Sequence, residues 1–251
     1  MRYAVKGRFA NSTPPAAWHH RSMWKSIRAV AFDLDDTLWD VRQVLERAEA
    51  ASQTFLSERY PSFSATYSIE ALRAERLAIA RAEPQSAHDL TWLRTETVRR
   101  LAIDLGLPHS VGHEAFEVFI AERNRVELFA DVSVAIGELA ARFRLATLSN
   151  GNADVARIGI GHWFAVNLSA GLIGAAKPDV RAFATLAADL GLAAEEILYV
   201  GDDPHADVVG AAQAGMHTAW MNRREQQWPD ALPRADIEVT DLAALVAASR
   251  G

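Results

Sequence analysis

The apolar stretch RAVAFDL, residues 28–34, runs directly into an acidic cluster, because AFDLDDTLWD, residues 31–40, carries Asp33, Asp35, Asp36 and Asp40. The apolar half has the length and character of a strand covered on both faces. Clustered carboxylates repel one another and add nothing to a buried strand. Either a cation or a reaction must therefore reward them, and the strand's end is where that reward is collected.

Similar runs recur at FRLATLS (143–149), EILYVGD (196–202) and HTAWM (217–221), and helical patterns cover 152–159, 178–190 and 205–214. Gly191 and Gly215 stand where the last two helices would stop. Short strands alternating with helices predict an α/β fold with a doubly wound, Rossmann-like parallel sheet. The stretch 41–127 breaks this alternation with four helical patterns, at 41–59, 68–82, 88–105 and 113–128, separated by YPSFS, EPQS and GLPHS. It is expected to form an α-helical cap inserted into a core of residues 28–40 and 128–251. Because the insert leaves just after the acidic cluster and returns before the next strand, it belongs over the C-terminal strand ends, where open α/β sheets bind ligands. Residues 1–27 are basic and contain Pro-Pro and His-His; they read as a weakly ordered arm, with Met23 a candidate start.

Composition narrows the chemistry. The 251 residues are enough to bury a substantial core, and the absence of cysteine excludes thiol nucleophiles, cysteine-zinc sites and disulfides. A formal charge of −6 with no basic block from residue 30 onward argues against a nucleic-acid partner. No run approaches the roughly eighteen apolar residues of a membrane span, and the first 27 residues lack a secretory core. The expectation is a cytoplasmic protein acting on a small phosphorylated metabolite without a membrane partner. An apolar stripe on a cap helix leaves monomer and homodimer both open.

A parallel sheet would bring the polar residues that end its strands to one edge: Asp33 and Asp35, Ser149 and Asn150, Asp202 and Asp203, with Lys177 and Pro178 opening a nearby helix. Carboxylates, a hydroxyl and an ammonium in one crevice suit phosphoryl transfer assisted by Mg²⁺, which prefers hard oxygen ligands. The ion would neutralise Asp33 and Asp202 and screen an incoming phosphate dianion. One carboxylate can attack phosphorus to give an aspartyl-phosphate. Asp35 can protonate the leaving oxygen and then deprotonate the attacking water.

In these motifs the chain resembles the haloacid dehalogenase superfamily of phosphatases. Its D-x-D-x-T pattern is met by Asp33, Asp35 and Thr37, its Ser/Thr by Ser149 in TLSNGN, its lysine by Lys177 in AAKPD, and its closing acidic motif by GDDPHAD with Asp202 and Asp207. The resemblance implies Asp33 as nucleophile, and Asp35 as acid/base that also lends Mg²⁺ its backbone carbonyl. It likewise implies Ser149 and Asn150 at the phosphate, Lys177 holding nucleophile and phosphoryl group, and Asp33, Asp35 and Asp202 as the metal set. True dehalogenases of this superfamily lack an acid/base at the position of Asp35, since a halide leaves without a proton, so phosphate-ester hydrolysis is implied.

The segments FDLDDTLWD, AEPQSAHDLTWLRTETVRRLA, LSNGNADV and GDDPHADVVGAAQAGMHTAWM further resemble bacterial flavin-pathway phosphatases acting on 5-amino-6-(5-phospho-D-ribitylamino)uracil and on FMN. A nucleotidase or sugar phosphatase of the same chemistry, a haloacid dehalogenase and a non-catalytic metabolite sensor are the other readings. Several side chains have two readings. Ser149 can anchor phosphate or cap the next helix; Trp39 can pack on a substrate ring or wedge the cap. Arg94 and Arg125 can touch substrate or lie on a solvated face, and Trp92 can stack on a ring or fill a core. His88 and Asp89 can be a capping pair. Asp207 is expected to hold its loop, and His205 to be exposed.

Overall fold

The structure, a computed structural model, describes residues 23–250. Every residue of β1 (Ala29–Phe32) is buried, because alternate side chains face two separate apolar layers. Val30 and Phe32 pack with Leu145, Leu198 and Val200, whereas Ala29 and Ala31 pack with Ala146, Leu148, Ile197 and Tyr199. β2 (Arg144–Ser149), β3 (Val166–Ser169), β4 (Ile197–Gly201), β5 (His217–Met221) and β6 (Ile237–Val239) complete one sheet in the order β3-β2-β1-β4-β5-β6. All its pairings are parallel, so the predicted α/β doubly wound sheet is what the chain forms.

The longer helices between β1 and β2 are α1 (Val41–Arg59), α2 (Pro61–Thr66), α3 (Ile69–Ala82), α4 (Leu90–Asp104), α5 (Val111–Arg123) and α6 (Val132–Ala140). Helices α1 to α5 bury apolar faces of their own, with Leu56, Phe63, Leu72, Val98 and Leu101 in one cluster and Ala48, Phe116, Phe119 and Ile120 in another. Helix α6 belongs instead to the sheet, where Ile136 and Leu139 join the layer of Val30 and Phe32 together with Leu242 and Leu245 of α8 (Leu242–Arg250). The opposite layer is closed by α7 (Val180–Leu190) through Phe183, Leu186 and Leu190. Helix α7 stops at Gly191 as expected.

Five of the elements named above escape the periodicity reading, the C-terminal helix α8 among them. β3 and β6 are short edge or near-edge strands whose middle residues, Asn167 and Glu238, are exposed, so no apolar run marks them. Helix α2 lies in the YPSFS separator, since Pro61 opens a helix rather than a loop. Helix α6 follows the insert with no acidic cap bond of its own. The helix expected over 113–128 ends at Arg123, five residues early. The arm expected over 1–27 is also shorter than that, because Met23 and Ile27 lie in the main core; residues 1–22 lie outside the described residues.

Phe183 has no exposed surface and meets the Tyr199 ring edge-on at 5.1 Å between centroids. Phe183→Ala should lower stability by about 3–5 kcal/mol, measured by urea unfolding.

Candidate active site

The strand order reverses between β1 and β4, and a doubly wound sheet opens a crevice at that switch point. Asp33 follows β1 and Asp202 follows β4 directly. Asp33 is still held by the ladder, its N–H donating to the Val200 carbonyl at 2.8 Å, so its side chain points from a rigid base. Lys177 reaches the same place from the loop before α7. Its Nζ donates to Asp33 Oδ1 at 2.6 Å, to Asp207 Oδ1 at 2.7 Å and to the Tyr199 hydroxyl at 2.8 Å. An ammonium has three donors, and all three are used. The Tyr199 hydroxyl passes the interaction on, donating to the Leu148 carbonyl at 2.6 Å.

Asn150 sets where Lys177 enters. Its Oδ1 accepts from the Lys177 N–H at 2.8 Å and its Nδ2 donates to the Lys177 carbonyl at 2.9 Å. Asp207 is fixed from its other oxygen, which accepts the Asp203 N–H at 3.0 Å, while Asp203 Oδ1 accepts from the N–H groups of His205 and Ala206. A Cβ at position 201 would stand 2.3 Å from the Asp207 carboxyl, so only glycine lets β4 end against that side chain.

The charges here do not balance. One oxygen from each of Asp33, Asp202 and Asp207 lies within 4.8 Å of the others, against one ammonium. Burial, reinforced by the charges of Asp207 and Asp35, pushes the Asp33 carboxyl up to about 7 even though Lys177 pulls the other way. Burial and the neighbouring Asp33, Asp207 and Asp36 push Asp202 up to about 8. Burial alone would lower Lys177, but Asp207 and Asp33 outweigh it and hold the ammonium well above its ordinary value. An all-oxygen donor set with surplus negative charge fits a small divalent cation.

Asp35 makes its side-chain bonds outside this cluster. The chain turns at Asp36, which takes the left-handed conformation with φ 56°, and the Asp36 N–H donates to the Trp39 carbonyl at 2.8 Å. That turn brings the Trp39 indole Nε1 back to Asp35 Oδ1 at 2.8 Å. Arg123, from the last position of α5, places Nη2 2.7 Å from Oδ1 and 2.6 Å from Oδ2 of the same carboxylate. Ser149 is buried beside them, its Oγ accepting the Gly151 N–H at 3.0 Å. A Cβ on Gly151 would stand 2.7 Å from Asp35 Oδ2 and 3.2 Å from both Arg123 Nη2 and Ser149 Oγ. The missing side chain keeps a small concave space open between acid, hydroxyl and guanidinium.

Residues 27–215 match the sequence profile of the haloacid dehalogenase-like hydrolases. The chain belongs to that family. Among its relatives is the 5-amino-6-(5-phospho-D-ribitylamino)uracil phosphatase YigB of Escherichia coli K12, 34% identical over 87% of this chain and 94% of that protein. The (S)-2-haloacid dehalogenase of Pseudomonas sp. strain YL is 28% identical over 88% of this chain and 93% of that protein. The crystal structure of a 2-haloacid dehalogenase from Pseudomonas syringae pv. Tomato DC3000 superposes with a TM-score of 0.83 at 35% identity, covering 90% of this chain and all of that one, 100%.

For a haloacid dehalogenase-like hydrolase, the structure gathers Asp33, Asp35, Ser149, Lys177 and Asp202 at one sheet edge, and adds Asp207 to the carboxylates around Lys177. The structure places three residues expected at the substrate as follows. Trp39 is fully buried (0% exposed), so it is the wedge and not a ring platform. Both polar ends of the Asn150 side chain bond the Lys177 backbone, so the side chain positions the lysine's segment. Arg94 pairs with Glu49 at 3.2 Å and lies 3.9 Å above the Phe119 ring within the helical insert, with no bond to the strand-end acids.

Other double readings resolve. Ser149 does not cap the following helix, which starts at Val155 under Asp154. Asp89 does cap α4, accepting the Trp92 N–H at 2.9 Å. His205 is exposed, and Asp207 does hold its loop. Arg125 is exposed and paired to Glu122, whereas Arg123, two residues earlier, is the arginine at the site. Nothing in ERNR marks which arginine turns inward. Tyr199 was equally silent, since a tyrosine in an apolar strand reads as core.

Raised carboxyl values make the charge-neutral forms of Asp33 and Asp202 the favoured ones in the folded state. In EDTA, these groups should therefore lower stability progressively as pH rises from about 4, their unfolded range, through about 7 to 8. Asp202→Asn should melt above the parent chain at pH 8.5 and near it at pH 4.5. Added Mg²⁺ should narrow the pH 8.5 difference, as read by thermal unfolding.

Proposed function

We propose that the protein is a phosphomonoester hydrolase working through an aspartyl-phosphate, with residues 41–127 as the cap over its site. The observation that supports this most directly is the Lys177 ammonium bonded to Asp33 while Asp35, two residues on, faces the cradle shared with Ser149. Asp33, Asp202 and the Asp35 carbonyl would hold Mg²⁺, which when bound supplies charge neutralisation around the phosphate. Asp33 Oδ attacks phosphorus as the ester P–O bond breaks, and Asp35 gives its proton to the departing oxygen. Asp35 then takes a proton from the water that attacks the aspartyl-phosphate, releasing inorganic phosphate and restoring Asp33. Lys177 holds Asp33 in line and offsets charge on the transferring group, while Ser149 Oγ anchors a phosphate oxygen.

We propose a flavin-pathway phosphate as substrate, the ribitylaminouracil phosphate or FMN; the ribitylaminouracil phosphatase YigB, matched over 94% of its length, supports the first of these. Kinship to 2-haloacid dehalogenases supports a second reading, displacement of halide by Asp33. Asp35 favours the ester, because a halide leaves without a proton and needs no acid.

Phosphate release should be measured on ribitylaminouracil phosphate, FMN, nucleoside monophosphates and sugar phosphates, alongside halide release from 2-chloropropionate. The expected result is Mg²⁺-dependent phosphate release that is highest on the flavin-pathway compounds, with Asp33→Asn at least about 10³-fold slower. Asp35→Asn should lose about 10²- to 10⁴-fold. Halide release without phosphate release would establish the dehalogenase instead.

A further inference from the structure

Arg123 is buried (1% exposed), and its Nη1 is enclosed without a hydrogen-bond partner among the described residues. Enclosing a guanidinium with one amino group unsatisfied is unfavourable for stability. A fold that only needed α5 to end here would do as well with an apolar side chain. What Arg123 does have is Asp35, whose two oxygens it grips with one nitrogen while Trp39 holds Oδ1 from the other side. Those three contacts fix the carboxylate's rotation about its own axis. Trp39 belongs to the segment leaving β1, and Arg123 to the last helix before the chain returns, so the grip is complete only when α5 is seated on the core.

We propose that Arg123 is a positioning residue for proton transfer. It orients the Asp35 carboxyl toward the leaving oxygen and makes that orientation depend on the seating of the helical insert. This rests on the phosphatase reading above. In the step concerned, the P–O ester bond breaks as Asp33 Oδ bonds to phosphorus, and the Asp35 proton passes to the departing oxygen. A misaimed acid slows departure of basic leaving groups far more than of acidic ones.

The test is kcat/KM for a series of aryl phosphates, p-nitrophenyl, phenyl and p-methoxyphenyl, with the full chain, Arg123→Met, Arg123→Lys, Asp35→Asn and the double variant Asp35→Asn/Arg123→Met. This ratio reports only steps up to leaving-group departure, so hydrolysis of the aspartyl-phosphate does not mask the effect. Arg123→Met should lose at least about tenfold more on p-methoxyphenyl than on p-nitrophenyl phosphate, and Arg123→Lys, which keeps a cation but not the planar group that places Nη2 between the two oxygens, should show a smaller bias of the same sign. The double variant should be no slower than Asp35→Asn alone.

An equal loss on all three esters, or losses that multiply in the double variant, would overturn the proposal in favour of a merely structural arginine. If the parent chain cleaves neither these esters nor any compound of the phosphate panel above, the phosphatase reading fails by itself. The Trp39 indole N–H resonance, assigned with Trp39→Phe, then decides the grip: a shift in Arg123→Met but not in Arg125→Met upholds it, and no shift in either refutes it.

Discussion

Lys177 is surrounded so completely that the neighbouring groups take their positions from it. Its ammonium joins Asp33 after β1, Tyr199 within β4 and Asp207 in the turn after β4. Each of these acids would repel the others if the cation were withdrawn, and burial would magnify the repulsion. Around this ion the remaining groups are arranged by backbone. Asn150 holds the lysine's own main chain, and Gly201 clears the space that Asp207 occupies. Asp202 stands within 4.8 Å of both Asp33 and Asp207 but has no bond to the ammonium, so the three carboxyls together exceed what one lysine can offset.

The second half of the site is built across the fold rather than along it. Asp35 lies two residues from Asp33, yet its carboxylate turns to Trp39 and to Arg123 at the end of α5. Asp33 and Asp35 thus work in different surroundings, one beside a buried ammonium and the other beside a guanidinium supplied by the helical insert. Acid and nucleophile roles separate in this way when neighbouring carboxyls are given different partners.

The sheet, its polar strand ends and the position of the insert were legible in the sequence because short apolar runs and acidic stops are local signals. The residues gathered at the strand ends were legible for the same reason: Asp33, Asp35, Ser149, Lys177 and Asp202 each stand beside a strand or helix boundary that periodicity locates. What could not be read depended on orientation. Arg123 and Arg125 have the same chemistry and similar flanks, and only the helical phase at the end of α5 buries one and exposes the other. Trp39 and Asn150 were placed at the correct loop, but whether a side chain there meets a ligand or its own backbone is settled by three-dimensional closure. β3 and β6 were missed because an edge strand with an exposed centre leaves no apolar run.

Phe183 stacks edge-on against Tyr199, and Tyr199 bonds both Lys177 and the Leu148 carbonyl at the end of β2. The apolar layer under α7 and the ammonium at the strand ends are therefore two ends of one linkage. An adjustment to packing under α7, of the kind sought when a protein is hardened against heat, would travel through a single phenol ring to Lys177 and the Asp33 carboxyl it holds. For this chain, tuning the core is also tuning the charges at the strand ends.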